Sequence, residues 1–175
     1  MIILGISDSH EAHACLLKDG KLLAAVAEER LSRLKTDCGY PQKAIESVIK
    51  IANIKKEDID LVAFAGTKAG LFYTITKPAA KFSINDWIYQ NENYWTPKLI
   101  ENKPLTPFDD FCLFEDRLTG MEEDPYYEFV REYKKNKSLD PFILLNKVRK
   151  KSIINQIGID EAKIMFIRHE ECHQY

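Results

Sequence analysis

The chain has 175 residues, of which 45% are hydrophobic and 30% charged, a balance typical of a folded globular protein and not of a disordered or collagen-like one. Its 25 basic and 27 acidic residues give a net charge of −2, which argues against nucleic acid as the main partner. There is no run of about 18 apolar residues, so no membrane-spanning helix is predicted. The opening residues lack the basic flank of a secretion signal.

The first 70 residues are predicted to form a compact α/β unit. Three short apolar runs predict strands, at residues 2–6, 12–17 and 22–27. Asp19-Gly20 is a strong hairpin signal between the last two, so the three strands are expected to form an antiparallel meander. Apolar residues at helical spacing predict a helix over 41–52, and a buried strand is expected over 60–66. The predicted order is β-β-β-α-β.

Residues 71–159 differ in composition from the rest and are predicted to be a mostly helical insertion. They contain six of the seven prolines and both tryptophans, with helices expected at 126–137 and 141–157. The strand pattern returns at 163–168. We therefore divide the chain into an α/β core, made of residues 1–70 and 160–175, and the helical, aromatic- and proline-rich insertion between them.

The four cysteines are widely scattered and form no CxxC pair. This spacing indicates neither a zinc ribbon nor a disulfide framework. Reduced thiols are the simplest interpretation, and they predict a cytoplasmic location.

Two histidines near the end of the chain have the spacing of a metal-binding pair. His169 and His173 would share one face of a helix, where two imidazoles can reach one metal ion, with further ligands from elsewhere. Two exposed histidines without a ligand are the plain alternative. The string also fits the zinc-protease motif with Glu170 as general base. The strand predicted just before it and the lack of a third ligand downstream argue against that reading.

Two polar clusters lie in the first 35 residues. Residues 7–11, Ser-Asp-Ser-His-Glu, join the first two strands, and their hydroxyl and carboxylate groups could approach a phosphate or a bound metal-nucleotide. A polar hairpin with local hydrogen bonds is the alternative. The charged run over 28–35 is either a solvated turn or a cationic clamp for an anionic substrate.

Taken together, these segments resemble one family. Residues 3–7, 10–20 and 27–35, followed by Tyr40-Pro41, resemble the amino-terminal part of the O-carbamoyltransferases, which include nodulation-factor and antibiotic carbamoylating enzymes. The resemblance covers about the first 66 residues and residues 169–173. It implies a ribonuclease H-like half-domain, of the kind found in actin, Hsp70 and the sugar kinases, with a helical insertion.

The resemblance also implies a chemistry. Carbamoyl phosphate and ATP would give a carbamoyl-adenylate with release of phosphate and pyrophosphate, and the carbamoyl group would pass to a hydroxyl of a small-molecule acceptor. His169 and His173 would hold a divalent metal, with iron expected and zinc or magnesium as alternatives. His10 and Lys35 are the catalytic candidates. The candidate substrate-binding residues are Ser9, His10, Glu11, Arg30 and Lys35.

Further expectations follow from the same resemblance. The remaining metal ligands and most of the nucleotide pocket would lie beyond Tyr175, so the 175 residues alone are expected to lack turnover. One alternative keeps the fold and makes the protein a threonylcarbamoyl-transferase relative acting on tRNA. Another is a non-catalytic binding module. A homodimer interface in the aromatic-rich stretch stays open beside a purely structural role for it.

Overall fold

The computed structural model describes most of the chain outside the middle of the insertion. The described residues are 1–9, 11–67, 83–106, 109–110, 113–114, 126, 128, 131–132, 135–136, 140–172 and 174. Their strands are β1 Ile2–Ser7, β2 His13–Lys18, β3 Lys21–Ala27, β4 Leu61–Ala65 and β5 Ile164–Ile167. Their helices are α1 Glu28–Ser32, α2 Gln42–Ile51, α3 Ile84–Gln90, α4 Thr96–Leu99, α5 Pro141–Ile157 and α6 His169–Cys172, with a π-helical segment Asn91–Trp95 between α3 and α4.

The strands form one mixed sheet in the order β3-β2-β1-β4-β5. β1 pairs antiparallel with β2, and β2 with β3, so the predicted meander is confirmed. β4 runs parallel to both β1 and β5. Asp19 and Gly20 both have positive φ angles, 50° and 79°, as the tight turn between β2 and β3 requires. The five strands thus split into an antiparallel half and a parallel half that share β1.

One face of the sheet carries the core. Alternate residues of the central strands are buried there, including Leu4, Leu16 and Phe64, which are fully inaccessible to solvent. Helix α2 packs on the antiparallel half of the sheet. The buried residues of α2 are Ala44, Ile45, Val48 and Ile49, and those of α5 include Leu145, Val148, Ile153 and Ile157. All belong to one hydrophobic cluster, so the two helices and the sheet form a single packed body.

Helix α5 has well-defined ends. The Asp140 carboxylate accepts hydrogen bonds from the backbone N–H groups of Phe142 and Ile143, at 2.8 and 3.1 Å. Gly158 ends the helix in the left-handed conformation. The helix predicted over 141–157 is therefore confirmed, whereas the helix predicted over 126–137 lies largely outside the described residues.

The sequence prediction of an α/β chain with β-β-β-α-β order is confirmed, with one addition. Residues 28–32 form the short helix α1, within the charged run for which the sequence left a solvated turn and a cationic clamp open. The ribonuclease H-like assignment and the division at residues 71 and 159 stay predictions. Among the described residues, no helix has both the length and the apolar character needed to cross a bilayer.

Candidate functional site

Three strand ends meet at one edge of the sheet. Because β1, β4 and β5 are parallel, their carboxyl ends lie side by side, with Ile6, Phe64 and Phe166 in one row. β1 leads into the β1–β2 connection (residues 8–12), and β5 leads into α6. Strands in a sheet are about 4.8 Å apart, so the ends of β1 and β5 lie about 10 Å from each other. The fold thus brings the amino-terminal polar cluster close to the helix that begins at His169.

A buried ion pair lies at this edge of the sheet. Asp8 directly follows β1, and its carboxylate is contacted by the guanidinium of Arg149 from α5 through two atoms. Arg149 Nε lies 2.6 Å from Asp8 Oδ2, and Nη2 donates to Oδ1. Both side chains are buried, with exposures of 1% for Asp8 and 0% for Arg149. Such two-point contact fixes the orientation of both groups.

The same guanidinium connects the other strand ends. Its Nη1 donates to the carbonyl oxygen of Gly66, just past β4, at 3.0 Å and to Asn146 Oδ1 at 2.9 Å. Its plane lies against the rings of Phe64 and Phe166, with centroid distances of 5.1 and 5.2 Å. One side chain therefore contacts groups from β1, β4 and β5 at the edge where they end.

Tyr126 completes this buried network. Its hydroxyl donates to Asp8 Oδ2, and its ring packs against that of Tyr40 at 5.7 Å. Burial, together with the Asp8 carboxylate, raises the pKa of Tyr126 well above its usual value, so the phenol stays a donor. Burial opposes the charge on Arg149, but Asp8 more than offsets this and the pKa of Arg149 is raised.

A polar cavity of about 240 Å³ lies beside the β1–β2 connection. Two of the predicted substrate-binding residues, Glu11 and Arg30, line it together. The full lining is Glu11, Ala12, His13, Ala27, Glu29, Arg30 and Asp37. Arg30 is largely exposed and contacts Glu29 at 3.4 Å, so its charge faces solvent at the cavity mouth. The cavity has the size of a small ligand, and its lining places the positive charge of Arg30 beside the carboxylates of Glu11, Glu29 and Asp37.

The other predicted substrate-binding residues are placed as follows. The carbonyl of Ser9 accepts a hydrogen bond from the Gly39 N–H at 3.3 Å, which ties the β1–β2 connection to the 37–39 loop. Lys35 is exposed on the loop after α1 and is not among the residues that line the cavity. His10 lies outside the described residues.

An apolar cavity of about 260 Å³ lies on the opposite face of the sheet from the core helices. Residues from both ends of the chain line it, namely Ser7 and His13 from the first strands and Ile167 and Cys172 from the last elements. Cys15 also lines it, and burial raises the pKa of that thiol. His169 is exposed at the start of α6, and His173 lies outside the described residues. Within the described part of the chain, no group of three or more His, Cys, Asp or Glu side chains is placed to hold a metal ion.

The first two glutamates of the charged run have structural roles. The buried Glu28 carboxylate accepts hydrogen bonds from the N–H groups of Ala44 and Lys43, at 2.7 and 3.2 Å, in the first turn of α2. Glu29 Oε2 accepts from the Thr36 N–H at 2.9 Å. Pro41 begins α2 without a capping side chain, so Glu28 supplies the cap from a distance.

Replacing Glu28 with alanine is expected to lower the free energy of unfolding by about 1–3 kcal/mol, because the buried N–H of Ala44 and the partly buried N–H of Lys43 lose a charged acceptor. Urea titration followed by circular dichroism measures the change. Glu57→Ala, an exposed glutamate in the turn before β4, is the matched control and should change stability by less than about 0.5 kcal/mol. An unchanged unfolding midpoint for Glu28→Ala would rule out the capping role.

Comparison with known families identifies the chain. A family model described as carbamoyltransferase N-terminus matches residues 2–174. This chain belongs to the carbamoyltransferase N-terminus family. The match extends through the insertion as well as the α/β core, so one family pattern covers both parts of the chain.

Individual relatives each match about a third of this chain. The nodulation protein NolNO of Sinorhizobium fredii is 38% identical over 60 residues, which are 34% of this chain and 9% of that protein. Uncharacterized proteins of Methanocaldococcus jannaschii and Synechocystis are 35% and 41% identical over 65 and 63 residues. Those matches cover 37% and 35% of this chain and 12% and 10% of the relatives. The matched region thus spans about a tenth of each of these proteins.

The sequence reasoning missed three residues at the site of this carbamoyltransferase domain. Asp8 was part of the predicted polar cluster but was not selected, and His13, which lines both cavities, was not among the candidate residues either. The sequence could have identified Arg149, because it lies four residues after Leu145 and four before Ile153, on the apolar face of α5. A charged residue at a core position of a helix indicates a buried partner.

Proposed function

We propose that this chain is the amino-terminal part of an ATP- and metal-dependent O-carbamoyltransferase. In this proposal, carbamoyl phosphate and ATP give a carbamoyl-adenylate, and the carbamoyl group passes to a hydroxyl of a small-molecule acceptor. The observation that carries the proposal is the shared edge of β1, β4 and β5, which brings the β1–β2 connection and α6 together. Family membership supports carbamoyl transfer as the chemistry at that edge.

The polar cavity is the proposed site for carbamoyl phosphate. Arg30 and Glu11 both line it, together with Glu29 and Asp37. A guanidinium binds phosphate oxygens through parallel hydrogen bonds, and Lys35, from the following loop, would add a second positive charge. Glu11 can accept hydrogen bonds from the carbamoyl NH₂ group, while Ser9 and His10 lie on the same connection. His10 and Lys35 would then act on the phosphate as it leaves.

His169 and His173 are the proposed metal ligands. Two imidazoles suit iron or zinc better than magnesium, which prefers oxygen ligands, so the donor set fits iron. A metal held there would offset the negative charge of the phosphate groups. His169 opens α6 at the carboxyl end of β5, where its side chain is exposed and can be reached by further ligands.

Isothermal titration with carbamoyl phosphate tests the anion site. Arg30→Ala and Lys35→Ala are each expected to weaken binding about 10- to 100-fold, since a lost charge-assisted hydrogen bond costs about 1.5–3 kcal/mol. Lys21→Ala is the matched control, because Lys21 is an exposed lysine at the start of β3, in the hairpin at the opposite end of the meander, and should leave binding unchanged. Equal affinity for all four proteins would contradict the proposed site.

A further inference from the structure

We propose that Arg149 is a positioning residue, which orients the substrate-binding β1–β2 connection through its buried contact with Asp8. This inference rests on the proposed function, because it concerns how that site is held in place. The feature behind it is a single guanidinium that contacts Asp8, the Gly66 carbonyl and two aromatic rings where β1, β4 and β5 end.

The contact restricts the connection at its first residue. Both oxygens of Asp8 accept from Arg149, and one also accepts from Tyr126, so the carboxylate has partners in two directions. Asp8 is almost fully buried, so its carboxylate has little contact with solvent. Rotation of Asp8 would break several hydrogen bonds at once, so the backbone leaving β1 is held to one path.

Backbone hydrogen bonds restrict the connection at its other end. The Ala12 N–H donates to the Asp37 carbonyl at 2.9 Å, and the Glu28 N–H donates to the Ala12 carbonyl at 2.8 Å. Ser9 and Glu11, both predicted to bind substrate, lie between this anchor and Asp8. Substrate-binding groups on such a short connection keep their geometry only if both ends are fixed, and displacements of about 1 Å can be costly.

Stability alone does not account for a charged pair at this position. Removing two charges from water is expensive, and a buried ion pair can often be replaced by apolar residues of similar volume without loss of stability. An apolar pair cannot fix the orientation of the two side chains, because dispersion contacts do not restrict side-chain rotation as two-point hydrogen bonding does. The Arg149–Asp8 pair therefore contributes orientation at a position next to the proposed site.

The test compares the wild-type chain with the double variant Asp8→Leu/Arg149→Met, which removes both charges together. The melting temperature is expected to stay within about 5 °C of wild type, while the Kd for carbamoyl phosphate rises about tenfold. NMR order parameters of the Ser9 and Glu11 amides are expected to fall, whereas those of α5 stay unchanged. Lys151→Met, on an exposed part of α5, is the control and should leave affinity and order parameters as in wild type.

Wild-type affinity and wild-type order parameters in the double variant would overturn the inference. If the double variant does not fold, Tyr126→Phe takes its place, because it removes one donor to Asp8 and keeps the ring. A two- to threefold rise in Kd would support the inference there, and no rise would contradict it. If the wild-type chain does not bind carbamoyl phosphate, the proposed function fails, and the order parameters still decide whether Arg149 holds the connection.

Discussion

Replacing Arg149 alone with methionine is expected to lower the free energy of unfolding by about 3–5 kcal/mol. The substitution leaves the Asp8 carboxylate buried with Tyr126 as its remaining hydrogen-bond donor among the contacts described above, and it also frees the Gly66 carbonyl. An uncompensated buried charge costs more than the lost contact itself. Urea unfolding followed by circular dichroism, with wild type measured in parallel, gives the difference.

Two further variants serve as controls for Arg149→Met. Lys151→Met removes an exposed ion pair with Glu128 from the same helix and should cost less than about 1 kcal/mol. Adding Asp8→Leu to Arg149→Met should restore most of the lost stability, because the unpaired charge is then gone. A single Arg149→Met variant as stable as wild type would show that Asp8 is not held as a buried anion.

Replacing Phe64 with alanine is expected to cost about 3–5 kcal/mol of the free energy of unfolding. Phe64 is fully buried in the interior strand β4, its ring stacks on Phe166 at 5.2 Å, and it contacts one side of Arg149. The cavity left behind would adjoin the Arg149–Asp8 ion pair. We therefore expect the substitution to lower the free energy of unfolding and also to disturb the geometry of that pair. Thermal unfolding and urea titration both report the loss.

The matched control for Phe64 is an exposed apolar residue. Ile100 is 75% exposed, and Ile100→Ala should change stability by less than about 0.5 kcal/mol. A loss below about 1 kcal/mol for Phe64→Ala would contradict the described core.

The secondary structure could be predicted from local patterns because local physics decides it. Asp19-Gly20 accepts positive φ angles at low cost, which fixes the β2–β3 hairpin. Helix α5 is framed by an Asp cap and a terminal glycine, and the apolar spacing of α2 matches one face of a helix. Helix α1, which was not predicted, is five residues long and rich in charge, so it lacks the apolar periodicity from which a helix is predicted.

The site was predicted less completely because its key contacts join residues far apart in the sequence. Asp8 and Arg149 are 141 residues apart, and no local pattern pairs them. Glu28 belongs to the charged run for which the sequence left a solvated turn and a cationic clamp open, yet its carboxylate reaches 16 residues ahead to cap α2. Sequence spacing showed which residues carry charge, but the partner of each charge depends on how α5 and α2 pack on the sheet.

The proposed function requires that the anion site and the histidine pair lie at the same edge of the sheet. Anomalous diffraction from crystals of the protein loaded with iron and carbamoyl phosphate tests it most directly. We expect iron on His169 and His173, with the phosphate of carbamoyl phosphate beside Arg30 at the same end of the strands and about 15–20 Å from the metal, because Arg30 follows β3, which lies four strand spacings from β5. Iron bound away from these histidines, or a phosphate at the opposite edge of the sheet, would contradict the account.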